Sequence, residues 1–164
     1  MDPGNFSEVL DYSVLQRRWT SQYKVASDKV EYCEILLNQQ TPLLSSMKSY
    51  FNERLSQGIS FEAATLQDIR TLFLEAELLM TNAITLIEAI KPTQGLVQTL
   101  LVLATCSTES DCETVLRESR DCIELFEKMA SSIDEKASRF EEAVNEIQER
   151  LASTVTCNAT DSKK

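Results

Sequence analysis

A regular stripe of apolar residues in the middle of the chain constrains the fold more than any other sequence feature. Its members recur at alternating steps of three and four residues: Leu66, Ile69, Phe73, Ala76, Met80, Ala83, Ile87 and Ile90. This spacing places them on one face of an α-helix. Leu72, Leu79 and Leu86 widen that face on one side. The stripe therefore predicts a bundle helix with several neighbours rather than one strand of a two-stranded coiled coil.

A similar stripe predicts one long helix over residues 6–40. It consists of Tyr12, Leu15, Trp19, Tyr23, Ala26, Val30, Cys33 and Leu37. Thr41 followed by Pro42 matches a helix cap with proline at the first helical position, so a break is expected there. A helix that continues through Pro42 with a kink is the alternative. Gly58 is expected to end the helix that follows, and Ser60 is expected to cap the next one.

The second half of the chain carries one further break and one further start. The segment Lys91-Pro92-Thr93-Gln94-Gly95 predicts an interruption, followed by a short apolar helix over residues 96–106. Ser110-Asp111-Cys112-Glu113 matches a capping box and predicts the start of the longest helix, which would end near Ala152. Together these patterns predict an all-α, up-and-down bundle of four to five helices with a long C-terminal helix.

The same patterns divide the chain into three parts. Residues 1–130 are expected to form the bundle, residues 131–152 to extend the last helix as a brace or coiled coil, and residues 153–164 to form a disordered polar tail. The extension carries an apolar row that would form a coiled-coil seam: Ile133, Ala137, Phe140, Val144, Ile147 and Leu151. A scaffold that dimerises through this helix is therefore one functional hypothesis.

Charge and composition exclude several classes of function. With 16 basic and 26 acidic residues the net charge is −10, so the basic surface that nucleic-acid binding needs is missing. The chain has no histidine, which removes the commonest general base and metal ligand. We therefore expect no enzymatic activity, no metal and no cofactor. Glu75 and Glu77 interrupt an apolar helix, but two positions apart they point to different faces and are expected to reach solvent.

Cysteines and termini bear on the compartment. The five cysteines are expected to be reduced, although Cys106 and Cys112 flank a predicted turn and could pair under oxidation. The first residues show neither the basic nor the apolar segment of a secretory signal. Charged residues interrupt the most apolar stretch, residues 71–90, so a membrane span is not expected. These features predict a cytoplasmic protein.

The densest basic group lies in the first predicted helix and surrounds Trp19 and Tyr23. It comprises Arg17, Arg18, Lys24 and Lys29. One interpretation is contact with a protein partner or an anionic membrane surface. The other is a solvated face, because acidic residues share the helix and the net charge opposes binding to anionic lipid.

Several landmark segments resemble a known group of helical-bundle domains. They are Met1-Asp2-Pro3 with Phe6, Glu8 and Leu10; Cys33-Glu34-Ile35-Leu36-Leu37 followed by Thr41-Pro42-Leu43-Leu44; and Leu66…Ile69…Leu72-Phe73…Glu75-Ala76…Leu78-Leu79. Over about residues 1–130 the chain resembles the N-terminal bundle of mixed-lineage kinase domain-like proteins, of fungal HeLo-type cell-death proteins and of plant U-box ligases. The first helix here is neither glycine-rich nor strongly apolar.

The resemblance implies a function as well as a fold. It implies a signalling module in cell death or innate immunity that acts by regulated oligomerisation. It also implies that the protein engages membranes peripherally on activation, as several members of the group do, or contacts proteins, as the U-box relatives do. The expected partners are accordingly a protein or a second copy of the chain.

Overall fold

The structure, a computed structural model, is all-helical over most of the chain. It describes the backbone of residues 3–58, 61–106 and 109–162, and the side chains of residues 14–58, 61–63, 65–104 and 113–153. This part of the chain contains three helices: α1 (Pro3–Ser56), α2 (Ala63–Cys106) and α3 (Glu109–Ser162). The all-α prediction is confirmed. The prediction of four to five helices is wrong, because two of the predicted breaks are absent.

Both absent breaks are at prolines. Helix α1 continues through Pro42, and α2 continues through Pro92 and Gly95 into the segment predicted to be a separate short helix. Both prolines are exposed, so the backbone carbonyl that loses its hydrogen bond can face water. An interior proline costs about 3 kcal/mol, whereas each large apolar side chain buried on either side contributes about 1.5–3 kcal/mol. Packing on both sides of each proline therefore keeps the helix continuous.

The end of α1 agrees with the prediction. Gly58 adopts a left-handed conformation with φ of 78°. The amide of Gln57 donates to the carbonyl of Glu53 at 3.0 Å, and the amide of Gly58 donates to the carbonyl of Leu55 at 3.2 Å. Because only glycine adopts this backbone conformation without a steric cost, Gly58 ends the helix as its sequence position indicates.

Helix α3 extends past both predicted ends. It begins at Glu109, one residue before the predicted cap at Ser110, and it continues to Ser162, beyond the predicted end near Ala152. The side chains of residues 154–164 lie outside the described residues, as does Ser60, the predicted cap before α2. The disordered tail and the division into residues 1–130 and 131–152 stay predictions.

The chain divides into two compact units, and each of the three helices contributes to both. Unit 1 consists of Met1–Tyr32 and Thr85–Asp134, and unit 2 consists of Cys33–Ile84 and Glu135–Lys164. Each unit has its own apolar core, built from the stripes that the sequence pattern identifies.

The core of unit 1 is centred on Phe126, which is fully buried and has its ring centroid 5.2 Å from that of Tyr23. The side-chain amide of Gln94 donates to the hydroxyl of Ser27 at 3.0 Å, a contact that joins α2 to α1. The other buried apolar residues are Ala26, Val30, Ile87, Ile90, Val97, Leu100, Leu101, Ala104, Leu116, Ile123, Ala130 and Ile133.

The core of unit 2 contains an aromatic cluster. The ring centroid of Phe51 lies 5.5 Å from that of Phe61 and 5.6 Å from that of Phe73. The other buried apolar residues are Cys33, Leu36, Leu37, Leu44, Met47, Ile69, Ala76, Leu79, Ala83, Ala137, Phe140, Ala143, Val144, Ile147 and Leu151. Offset aromatic contacts of this kind add about 0.5–1.5 kcal/mol to the burial of the rings themselves.

Ion pairs in unit 2 lie at its surface. Lys48 pairs with Glu77, and Arg150 lies 3.3 Å from Asp68. Partly exposed pairs such as these contribute about 0–1 kcal/mol. The apolar stripes, rather than the charges, therefore carry the stability of the fold.

Two glycines provide a matched test of the helix boundaries. Gly58→Ala is expected to lower the free energy of unfolding by about 1–2 kcal/mol, because alanine is strained at positive φ. Gly95→Ala is expected to raise it by about 1 kcal/mol, because the position is inside α2, with nothing within 4 Å of the added methyl group. Urea unfolding followed by circular dichroism measures both. Effects of the same sign would contradict the placement of Gly58 at the end of α1 and of Gly95 inside α2.

Candidate functional site

A cleft in unit 1 between α1 and α3 is the candidate site. Its volume is about 340 Å³, and it is lined by Leu15, Arg18, Trp19, Gln22, Arg120, Ile123, Glu124 and Glu127. On each helix the lining residues are three or four positions apart or adjacent, so each set lies on one helix face. A volume of this size is at the lower end of the range for small-ligand pockets.

The charges of the cleft are only partly paired. Arg120 lies 3.3 Å from Glu124, one turn along α3. Arg18 and Glu127 are in no ion pair with any residue that the structure describes. The cleft thus presents a free guanidinium beside the indole of Trp19. Arginine and tryptophan are the residues that most often dominate binding energy at protein interfaces.

The structure separates the four basic residues predicted as a contact surface. Arg17, Arg18 and Lys24 are all exposed and Lys29 is half-buried, but only Arg18 lines the cleft. Arg17 and Lys24 are seven residues apart and share one face of α1. Arg18 and Lys29 are eleven apart and share another, because seven and eleven residues are close to whole numbers of turns.

Three exposed apolar residues of α1 lie between these two faces, interrupted along the helix by the exposed Arg18, Ser21 and Asp28, and the buried stripe gave no indication of them. Val14, Val25 and Tyr32 are eleven and seven residues apart and are all exposed. The steps place them along one line on α1. The sequence did carry a signal for these three residues, because they are spaced by nearly whole numbers of helical turns. The residues lie outside the buried stripe, however, and isolated exposed apolar residues are common on surfaces.

The predicted coiled-coil seam lies inside the fold. Ile133 is buried in unit 1, and the other five seam residues are buried in unit 2: Ala137, Phe140, Val144, Ile147 and Leu151. The chain's own packing already covers this row. A second chain could reach it only by displacing those contacts.

Two other predicted groups are placed as follows. Glu75 is exposed and Glu77 pairs with Lys48, so both carboxylates lie outside the core, as their spacing predicts.

Burial, followed by the nearby charges of Asp121 and Glu118, raises the pKa of the Cys122 thiol. A raised pKa keeps this thiol protonated at neutral pH, which makes it a poor nucleophile.

The remaining cysteines divide between the core and the undescribed side chains. Cys33 is buried in the core of unit 2. The side chains of Cys106, Cys112 and Cys157 lie outside the described residues, so the pairing of Cys106 with Cys112 stays a prediction. Among the residues that the structure describes, no group of three or more cysteine or acidic side chains is placed to hold a metal ion. In the same part of the chain, no helix has a stretch apolar and long enough to cross a bilayer.

Comparisons with known proteins give no match: no protein-family model, no curated protein and no solved structure matches the chain. The resemblance to mixed-lineage kinase domain-like, HeLo-type and U-box bundles stays a prediction based on its landmark residues. The surfaces of the molecule are therefore the available indication of its function.

The position of Arg18 can be tested through Trp19, the only tryptophan in the chain. Arg18→Glu is expected to lower quenching of Trp19 fluorescence by iodide about twofold, because a reversed charge beside the indole repels the anion. Arg17→Glu changes the net charge equally but lies on another face, so it is expected to have little effect. Quenching by neutral acrylamide should be the same in both variants. An equal loss of iodide quenching in both would contradict the geometry.

Proposed function

We propose that the protein is a non-catalytic helical signalling module that acts by regulated self-assembly and by binding a protein partner. One observation carries the proposal: several of the large apolar side chains that are exposed outside the core fall on common helix faces. Val14, Val25 and Tyr32 form one row on α1 in unit 1, and Leu74 and Leu78 belong to another on α2 in unit 2. Aligned exposed apolar residues commonly mark surfaces that another molecule covers.

The α1 row and the cleft together suit a protein partner. The row offers apolar contact area, and the cleft beside it offers an unpaired arginine and a tryptophan. The face with Arg17 and Lys24 also carries the exposed Asp28 and Glu31, whereas Arg18 and Lys29 lie on the other side of the row. An apolar partner segment with an acidic residue opposite Arg18 would therefore complement this surface. The chain as a whole is acidic, with a net charge of −10, which favours a protein partner over an anionic membrane.

The proposal assigns no catalytic step to the protein. The chain has no histidine, and the raised pKa of Cys122 disfavours its thiolate. On the basis of the resemblance, the proposed process is cell death or innate immunity. The proposed compartment is the cytoplasm, and the protein would bind a membrane surface peripherally on activation.

The alternative is a scaffold that dimerises through the second half of α3. Burial of the predicted seam within the chain's own units makes this alternative the weaker one, because dimerisation would cost the contacts that fill the core. Self-assembly through an outward row has no such cost.

The test is the mass of the full chain in solution, measured by light scattering with and without vesicles of phosphatidylserine and phosphatidylcholine. The expected result is a mass that rises with concentration from that of the 18.5 kDa monomer. The rise is expected without vesicles and little changed by them. Assembly that requires the anionic vesicles would instead assign the function to the membrane surface. A monomer under every condition would overturn self-assembly.

A further inference from the structure

The outward face of α2 in unit 2 carries a second, uncharged row with heptad spacing. It consists of Gln67, Thr71, Leu74, Leu78 and Thr81, at steps of four, three, four and three residues, and we call it the outer α2 row. All five residues are exposed, including Leu74 at 68% and Leu78 at 62%. The hydroxyl of Thr81 donates to the carbonyl of Glu77 in its own helix at 2.9 Å, so it needs no outside partner.

The outer α2 row lies on a different face from the residues that hold unit 2 together. Helix α2 buries Ile69, Phe73 and Ala76 in the core, on the opposite side of the helix. A helix that needs only one apolar face for its own fold gains nothing from two adjacent, highly exposed leucines on the other. Alternating steps of three and four are the pattern by which one helix packs against another.

The charges beside the row identify the partner. Arg70 and Glu75 flank it on opposite sides, both are exposed, and neither is in an ion pair with any described residue. The other two flanking residues, Asp68 and Glu77, already pair with Arg150 and Lys48. One unpaired cation and one unpaired anion therefore remain on the same short surface.

In heptad notation Leu74 is at position d and Leu78 is at position a. Arg70 is at position g, and Glu75 is at position e, five residues after Arg70. In a parallel pair of helices, a g residue faces the e residue five positions later in the partner. Two copies of the outer α2 row would thus place each Arg70 beside the Glu75 of the other copy, and both leucines in the seam.

The antiparallel arrangement is disfavoured by the same charges. It would bring e positions together and g positions together, so that with Leu74 opposite Leu78 each Glu75 would face the Glu75, and each Glu77 the Glu77, of the other copy. Like charges in contact oppose association. In the parallel arrangement each copy supplies the charges that pair with those of the other. A second copy of this chain therefore completes the interface without another protein.

We infer that the outer α2 row is a homodimer interface, in which two copies pair their α2 helices in parallel through Leu74 and Leu78, with reciprocal Arg70–Glu75 ion pairs. This inference rests on the proposed self-assembly and names its surface. Two chains that each carry a charge of −10 repel one another. An uncharged seam with a balanced pair of flanking charges is where such chains can approach closely.

The first test measures dimerisation of the full-length chain by sedimentation velocity. Leu74→Ser is expected to weaken dimerisation at least about tenfold, because each dimer loses two buried leucines. Ile35→Ser is the matched control: Ile35 is an exposed apolar residue of unit 2 on α1, away from the row, and we expect less than about a twofold change. Circular dichroism and the urea midpoint show that both variants fold.

The second test uses charge exchange to establish the register. Arg70→Glu and Glu75→Arg are each expected to weaken the homodimer, because each places like charges side by side. An equimolar mixture of the two variants is expected to restore association, and so is the double variant. Restoration would support the parallel pairing, since a general effect of charge on solubility gives no rescue.

The outcomes separate the inference from the proposed function. If the wild-type chain self-associates but Leu74→Ser does so equally well, the outer α2 row is not the interface and self-assembly stands. If Leu74→Ser weakens association but the charge exchange does not restore it, the parallel register is wrong. If the wild-type chain remains a monomer at all concentrations, both the interface and the proposed self-assembly are overturned.

Discussion

Replacing Phe126 by alanine is expected to lower the free energy of unfolding by about 3–5 kcal/mol. The side chain is completely buried in unit 1, and its ring packs against Tyr23 with centroids 5.2 Å apart. Alanine would remove the apolar contacts and leave a cavity that neighbouring residues fill only in part. Because a domain of this size is stabilised by about 5–15 kcal/mol in total, the variant should lose a large share of its stability.

The neighbouring residue provides the control for this prediction. Leu125 is 51% exposed although it is adjacent in sequence. Leu125→Ala is expected to change the free energy of unfolding by about 0.5 kcal/mol or less. Urea unfolding of both variants, followed by far-ultraviolet circular dichroism, gives the comparison. Similar losses in the two variants would place the core of unit 1 elsewhere.

Replacing Pro92 by alanine is expected to raise the free energy of unfolding by about 2 kcal/mol. Alanine restores a backbone hydrogen bond inside α2, where an interior proline costs about 3 kcal/mol. The greater freedom of the unfolded alanine chain offsets about 1 kcal/mol of that gain. Pro92 is exposed, so no buried contact is lost in the exchange.

The sign of this effect distinguishes a continuous helix from an interrupted one. If the chain were broken between Lys91 and Gly95, Pro92 would precede a new helix, where proline is well tolerated, and its removal would give no gain. Gln98→Ala, at an exposed position inside the same helix, is the control and should change stability by about 0.5 kcal/mol or less. A neutral or destabilising Pro92→Ala would contradict the continuous α2.

The buried face of each helix could be predicted from the sequence because periodicity alone determines it. In the central stripe Ile69, Ala76, Ala83 and Ile90 are fully buried, as expected. The breaks could not be predicted in the same way. Whether Pro92 ends a helix depends on how much apolar surface is buried on either side, which is a property of the assembled unit rather than of the local segment.

The candidate site was only half predictable for a related reason. The sequence singled out Arg18 through its basic neighbours in α1, but it gave no indication that Arg120 and Glu124 of α3 line the same cleft. Contacts between helices this far apart in the chain leave no trace in helical periodicity. The outer α2 row follows a regular period too, but it contains only two large apolar residues, and its period does not reveal that another molecule could cover it.

The central claim is that this chain acts by contact with other chains, and that its outward apolar rows serve that contact. The most direct measurement is the sedimentation velocity of the wild-type protein across a wide concentration range at physiological salt. The account predicts a shift from the 18.5 kDa monomer towards the dimer as concentration rises. A single monomer boundary at every concentration would contradict it.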